Sequence, residues 1–152
     1  MKVRSIMTQP AIVVREDATL EEVARTMLHH RVGCLPVVDR EGRVEGIITA
    51  ADLGAKRRSL PFCAVDVLEL FGDWMAAEGV ERTYAAARRR TAREVMSRRV
   101  VFVSPDAPVE KLMEMMARRG LSRIPVVHQG VPVGVVARHD LLKLMAACPG
   151  GA

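Results

Sequence analysis

An internal repeat constrains this chain more than any other feature. Displacing the sequence by 89 residues lays its first third on its last third. Arg4 falls on Arg93, Met7 on Met96, Val14 on Val103, and Asp17-Ala18 on Asp106-Ala107. Glu21 then meets Glu110, Met27 meets Met116, and Pro36-Val37-Val38 meets Pro125-Val126-Val127. One residue is lost in the second copy, after which Gly46 matches Gly134 and Asp52-Leu53 matches Asp140-Leu141. Identities in one order, at one offset with one gap, mark a duplicated supersecondary unit.

Both copies carry the same local signals. Ile12-Val13-Val14 and Val100-Val101-Phe102-Val103 are short β-branched runs that predict strands. A helix follows each. In the first copy Thr19 and Glu22 form a capping box, and Leu20, Val23, Ala24 and Met27 recur at helical spacing. In the second, Pro108 suits a first helical turn, and Val109, Leu112, Met113 and Met116 form the matching stripe. Pro36-Val37-Val38 and Pro125-Val126-Val127 then open hairpins whose tight turns suit Gly42 and Gly130. Second strands run through Val44 to Ile48 and Val133 to Val136, and closing helices start near Ala50 and Arg138. The predicted fold class is α+β, a sandwich-like pair of β-α-β-β-α repeats packed sheet to sheet around one shared core. The repeats are expected at 1–54 and 91–147, with a helical insertion over 55–90 and a tail at 148–152.

The insertion has no counterpart in the repeat. A helix opening at Pro61 would place Val67, Leu70, Phe71, Trp74 and Met75 on one face. Phe71 and Trp74 suit either a cap on the module's own core or an anchor at a subunit interface. Aromatic residues are only 3% of the 152, so aliphatic side chains and methionine must build the core. Net charge is +5, and the excess lies in arginine runs at Arg57-Arg58, Arg88-Arg89-Arg90, Arg98-Arg99 and Arg118-Arg119. Without interleaved aromatics or a nucleic-acid motif, these read first as solvated faces, with nucleic-acid binding the minority alternative.

Cys34, Cys63 and Cys148 form neither a CxxC pair nor an even disulfide framework. Adjacent His29 and His30, with His128 and His139 alone, give no convergent metal set, so no metal is expected. Glycine-rich phosphate loops and nucleophile motifs are absent, so no enzyme is expected. With no signal-peptide core and no run of membrane-spanning length, the expected location is the cytoplasm.

Each copy ends alike: Gly46-Ile47-Ile48-Thr49-Ala50-Ala51-Asp52 and Gly134-Val135-Val136-Ala137-Arg138-His139-Asp140. With Leu35-Pro36-Val37-Val38 and Arg123-Ile124-Pro125-Val126-Val127 upstream, the chain resembles the cystathionine-β-synthase (CBS) domain family. The resemblance covers roughly residues 1–54 and 90–147 and implies a pseudo-twofold pair, or Bateman module. It implies clefts between the paired repeats that take AMP, ADP, ATP or S-adenosylmethionine. The terminal aspartates, Asp52 and Asp140, would hold ribose hydroxyls; a carboxylate accepting two hydrogen bonds suits a vicinal diol. Each aspartate equally suits a simple helix cap. Thr49 matches the family's hydroxyl residue, whereas Ala137 departs from it. Arg123, beside Ser122, matches a phosphate-facing basic residue, whereas Cys34 stands there in the first copy. Ile12 and Val101 are candidate walls for the adenine.

A charged guanidinium bond outweighs a neutral hydroxyl bond, at about 1.5–3 against 0.5–1.5 kcal/mol. On that ground the Arg123 cleft is the expected site for a phosphate-bearing ligand, with Arg31, His29 or His30 as candidate substitutes for Cys34 in the other. The implied function is a regulatory, non-catalytic adenine-nucleotide sensor with no obligatory cofactor, working as a homodimer or upon a separate regulated protein. The alternatives are a ligand-free dimerisation module and, behind it, a basic nucleic-acid-binding protein.

Overall fold

A computed structural model describes residues 1–54 and 85–147. The first copy contains β1 (Val14–Arg15), α1 (Leu20–His30), β2 (Cys34–Val38), β3 (Val44–Thr49) and α2 (Ala50–Gly54). After a one-turn helix, α3 (Ala92–Val95), the second contains α4 (Val109–Arg119), β4 (Arg123–His128), β5 (Val131–Ala137) and α5 (Leu142–Ala147). The chain is α+β. Phe71 and Trp74 lie outside the described residues.

Local chemistry accounts for the element ends. The Thr19 hydroxyl accepts the Glu22 amide at 3.2 Å, and the Glu22 carboxylate accepts the Thr19 amide at 2.8 Å. A cap of this kind stabilises a helix by about 1 kcal/mol. Arg31 closes α1 in the left-handed region at φ 53°, and Gly120 closes α4 at φ 62°. Pro108 is the residue before α4 rather than its first turn, because its extended backbone precedes Val109. The β2–β3 and β4–β5 hairpins are antiparallel, and Gly42 and Gly130 turn them at φ 82° and 81°.

The leading strands are shorter than the sequence predicts. Only Val14 and Arg15 pair with β2, and in the second copy only Val103 bridges Val126. The reason is that the residues before them are committed elsewhere. Thr8 exchanges backbone hydrogen bonds with Val135 of the other copy at 3.0 and 3.1 Å, and Ser97 does so with Ile47 at 2.9 Å each way. Within a few residues the chain crosses from one sheet to the other, so Ile12, Val13 and Val100–Phe102 cannot run alongside a partner strand.

The same exchange divides the interior. Sheet-to-sheet packing predicts one shared core, but the described residues form two clusters, each completed by the other copy's leading segment. Val3 and Ile6 are buried with Leu112, Ile124, Val126 and Val136 of the second copy. Ala92 and Met96 are buried with Leu20, Val23, Leu35, Val37 and Ile48 of the first. The contacts recur with the copies swapped: Lys2 bridges Pro108 as Thr91 bridges Thr19, and Thr8 bridges Val135 as Ser97 bridges Ile47. Arg4 pairs with Asp106 and its counterpart Arg93 with Glu16. A pseudo-twofold relation follows from these pairs.

Candidate functional site

The exchanged segments bring the two copies together around a cleft of about 210 Å³. Thr8, Pro10, Ala11, Ile12 and residues 31–34 line it from the first copy, and Arg123, Val135, Ala137 and Asp140 from the second. The lining is apolar along the Pro10–Ile12 stretch and charged at Arg31, Arg123 and Asp140. A flat apolar slot with a few convergent polar groups is what a small-molecule site requires.

Asp140 is buried, at 6% exposure, at the end of β5, where a short 3-10 turn (Arg138–Leu141) leads into α5. Its Oδ2 accepts the Ala137 amide at 2.8 Å, which caps the turn. Its Oδ1 accepts the Lys143 ammonium at 2.8 Å and the Thr8 hydroxyl at 3.3 Å. Lys143 also donates to the Ile6 carbonyl at 2.9 Å, tying this carboxylate to the leading segment. Burial works against the charge of Asp140, yet Lys143, the Ala137 amide and Thr8 outweigh it and hold its carboxyl below the usual carboxylate range. The ionised form is therefore favoured by the fold. Its contribution is complete above the pKa of an unfolded aspartate, about 3.9, and is lost as pH falls through the folded-state value. The protein is expected to melt above its Asp140→Asn variant near neutral pH, with the gap closing on acidification. A gap unchanged down to about pH 3 would rule out a role for the charge.

The sequence-derived site residues divide. Asp140, Arg123 and Ile12 line one cleft. Asp52 and Thr49 stand outside it, bonded to each other: Asp52 Oδ2 accepts the Thr49 amide at 2.8 Å and its hydroxyl at 3.0 Å. Both aspartates thus make the same turn-capping bond. Val101 is half-buried and Ser122 exposed, and neither lines the cleft. Ser122 instead presents its carbonyl to the Arg138 amide at 3.0 Å. Among the described residues no group of three or more His, Cys, Asp or Glu converges on a metal position. No described helix is long and apolar enough to cross a membrane. Arg118 pairs with Glu114 on α4, and Arg90, just before α3, pairs with Glu94, so those runs are partly neutralised.

Residues 3–54 and 92–147 match the family model of the CBS domain. The chain belongs to the CBS-domain family. Among solved structures, this CBS pair is 45% identical to the CBS domain of a CBS domain-containing membrane protein from Sphaerobacter thermophilus. That match has a TM-score of 0.76 and covers 95% of this chain and 87% of the other. The CBS domain pair of protein MJ0100, solved in complex with 5′-methylthioadenosine and S-adenosyl-L-methionine, is 25% identical over 96% of both chains, with a TM-score of 0.69. The uncharacterized protein MJ1426 of Methanocaldococcus jannaschii is 28% identical, with 95% of this chain and 91% of that protein aligned. The L-aspartate semialdehyde sulfurtransferase of the same organism is 26% identical, but the CBS pair spans only 23% of its length. Matches to such enzymes therefore concern their CBS part.

Thr8, Gly33 and Lys143 are among the residues at this site that escape a reading of the sequence motifs. Gly33 leaves room for Arg123, since a Cβ there would stand 3.3 Å from its guanidinium. Thr8 had a signal, because the 89-residue offset pairs it with Ser97, another hydroxyl residue. Arg31 and Cys34, which the sequence assigns to the other cleft, line this one together with Arg123, with Cys34 buried. Burial pushes its thiol up to about 11, with Arg123 pulling it down and Asp52 adding to the rise. At neutral pH only about one part in ten thousand is thiolate. Cys34 is expected to resist iodoacetamide by at least 10-fold relative to free cysteine, roughly as its low thiolate fraction dictates. Rapid alkylation of Cys34, read by peptide mass spectrometry on the folded protein, would contradict this environment.

Proposed function

We propose that this CBS pair is a regulatory, non-catalytic sensor of an adenosyl ligand. The observation that carries the reading is one cleft holding Asp140, Arg123 and Ile12, with contributions from both copies. Asp140 would accept the ribose hydroxyls, Ile12 would flank the adenine, and Arg123 with Arg31 would face the tail. Two guanidiniums at one mouth favour a phosphate-bearing ligand such as AMP, ADP or ATP over the cationic S-adenosylmethionine. The complexes of MJ0100 support an adenosyl ligand in this fold, and they leave both chemistries in play. Thr49 and Asp52 would form the weaker of two unequal sites. A ligand that touches both copies favours the arrangement that closes the cleft, and a regulated protein or a second subunit would read that shift.

The test is thermal stability against AMP, ADP, ATP, S-adenosylmethionine, methylthioadenosine and NAD, in the protein and in Asp140→Ala. A ligand at a hundred times its Kd adds about 2.7 kcal/mol, roughly 5–11 °C for a chain of this size. Asp140→Ala is expected to weaken binding roughly 10- to 150-fold, the worth of hydrogen bonds to a charged acceptor. No shift with any compound would replace the sensor with a ligand-free dimerisation module. That second reading has its own support in Leu28, Met113, Leu142 and Met145, which stand 46–80% exposed on the helices.

A further inference from the structure

We infer that Thr8 supplies, from the other copy, the hydroxyl that Ala137 lacks, and that it positions Asp140 for its ligand. This rests on the reading of the cleft as an adenosyl site and adds a residue to it.

Besides Cys34 standing where the second copy has Arg123, the two copies differ at the hydroxyl beside the aspartate. Beside Asp52, a hydroxyl comes from Thr49, which precedes the aspartate in the same turn and donates at 3.0 Å. Beside Asp140, the equivalent position is Ala137, which offers only its amide. The hydroxyl there is that of Thr8, donated to Asp140 Oδ1 at 3.3 Å. Thr8 lies more than a hundred residues earlier, and it arrives because its amide and carbonyl both pair with Val135. Two backbone bonds fix where the side chain starts, so rotation about χ1 is the one freedom left to carry the hydroxyl away from the carboxylate. At 3.3 Å the bond is long for a hydroxyl donor, which makes its placement more telling than its strength.

Thr8 and Lys143 share Oδ1 of the carboxylate, and the Ala137 amide takes Oδ2. Lys143 and the Ala137 amide hold Asp140, and neither the Lys143 side chain nor any other part of α5 lines the cleft. Thr8 does line it, alongside Asp140. A ribose hydroxyl reaching Asp140 therefore meets the Thr8 hydroxyl, which both donates and accepts. The site is complete only while the leading segment is docked on β5, which links ligand affinity to the pairing of Thr8 with Val135.

The experiment compares Thr8→Val, close in shape but without the hydroxyl, with Thr8→Ser, which keeps it. Both retain the backbone pairing, and melting temperatures confirm folding. AMP affinity by calorimetry is expected to fall roughly 3- to 10-fold in Thr8→Val, the loss of one neutral hydrogen bond, and to stay within about 2-fold in Thr8→Ser. A second readout needs no ligand: the Asp140 carboxyl, followed by carbon NMR, should titrate at higher pH in Thr8→Val and be unmoved in Thr8→Ser. AMP binding equal to the parent's, with an unmoved Asp140 titration, would overturn the inference while leaving the sensor reading intact. If the parent protein binds no adenosyl compound, the sensor reading fails on its own and the Asp140 titration still decides whether Thr8 positions the carboxylate.

Discussion

Gly134→Val is expected to destabilise the protein by at least about 3 kcal/mol and to lower its Tm by roughly 6–12 °C. Gly134 is buried in β5, where the leading segment crosses it. A Cβ there would stand 2.8 Å from the Thr8 carbonyl oxygen and 2.9 Å from the Met7 sulfur. The sulfur is at the end of a flexible side chain, but the carbonyl is backbone and is held at 3.1 Å by the Val135 amide. Relief therefore requires lifting Thr8 off the strand, which breaks the pairing between copies. The cleft should fail with it, since Thr8 and Ile12 belong to the displaced segment. Chemical denaturation and nucleotide binding on the same variant check both parts. A variant with unchanged stability would mean that the leading segment is not held against β5. Gly46 faces Met96 and Ser97 in the same way, so Gly46→Val is the matched control for the other half.

Leu112→Ala is expected to cost about 2–5 kcal/mol, the range for emptying a fully buried leucine site. Leu112 on α4 has no exposed surface and packs in the cluster that includes Val3 and Ile6. Two of its neighbours thus come from the leading segment rather than from its own copy. Besides a lower midpoint in denaturant, hydrogen exchange should quicken at the amides of Thr8 and Val135. Their pairing depends on Val3 and Ile6 staying buried. The exposed Met113, next along α4 and 46% accessible, is the contrasting site. Met113→Ala should change stability by no more than about 0.5 kcal/mol, as surface substitutions generally do. Similar losses at both positions would contradict the assignment of helix faces.

The helix stripes, apart from Met113, which faces solvent beside Leu112, the capping box at Thr19 and the glycine turns were legible in the sequence because each is local. Spacing of 3.6 residues, a Thr-x-x-Glu and a Gly in a short turn express chemistry complete within a few residues. The aspartate-terminated motifs were legible for the same reason, since the capping bonds of Asp52 and Asp140 span three residues. What failed was continuity. Ile12-Val13-Val14 and Val100–Val103 have the composition of strands, but composition cannot show that Thr8 and Ser97 are already paired across the molecule. Val101 and Ile12 were equivalent candidates in sequence, and only Ile12 lines the described cleft.

Order along the chain, the duplication, the α+β class and the family follow from the sequence alone, because repeated local patterns carry them. Tertiary structure decided which copy completes which core, and it built one cleft from Arg123 and Asp140 of the second copy and Thr8 to Ile12 of the first. That choice depends on backbone hydrogen bonds and buried contacts between residues about 130 positions apart, as between Thr8 and Val135. No periodicity within either copy encodes a partner at that distance, so the exchange becomes visible only once the chain has folded back on itself.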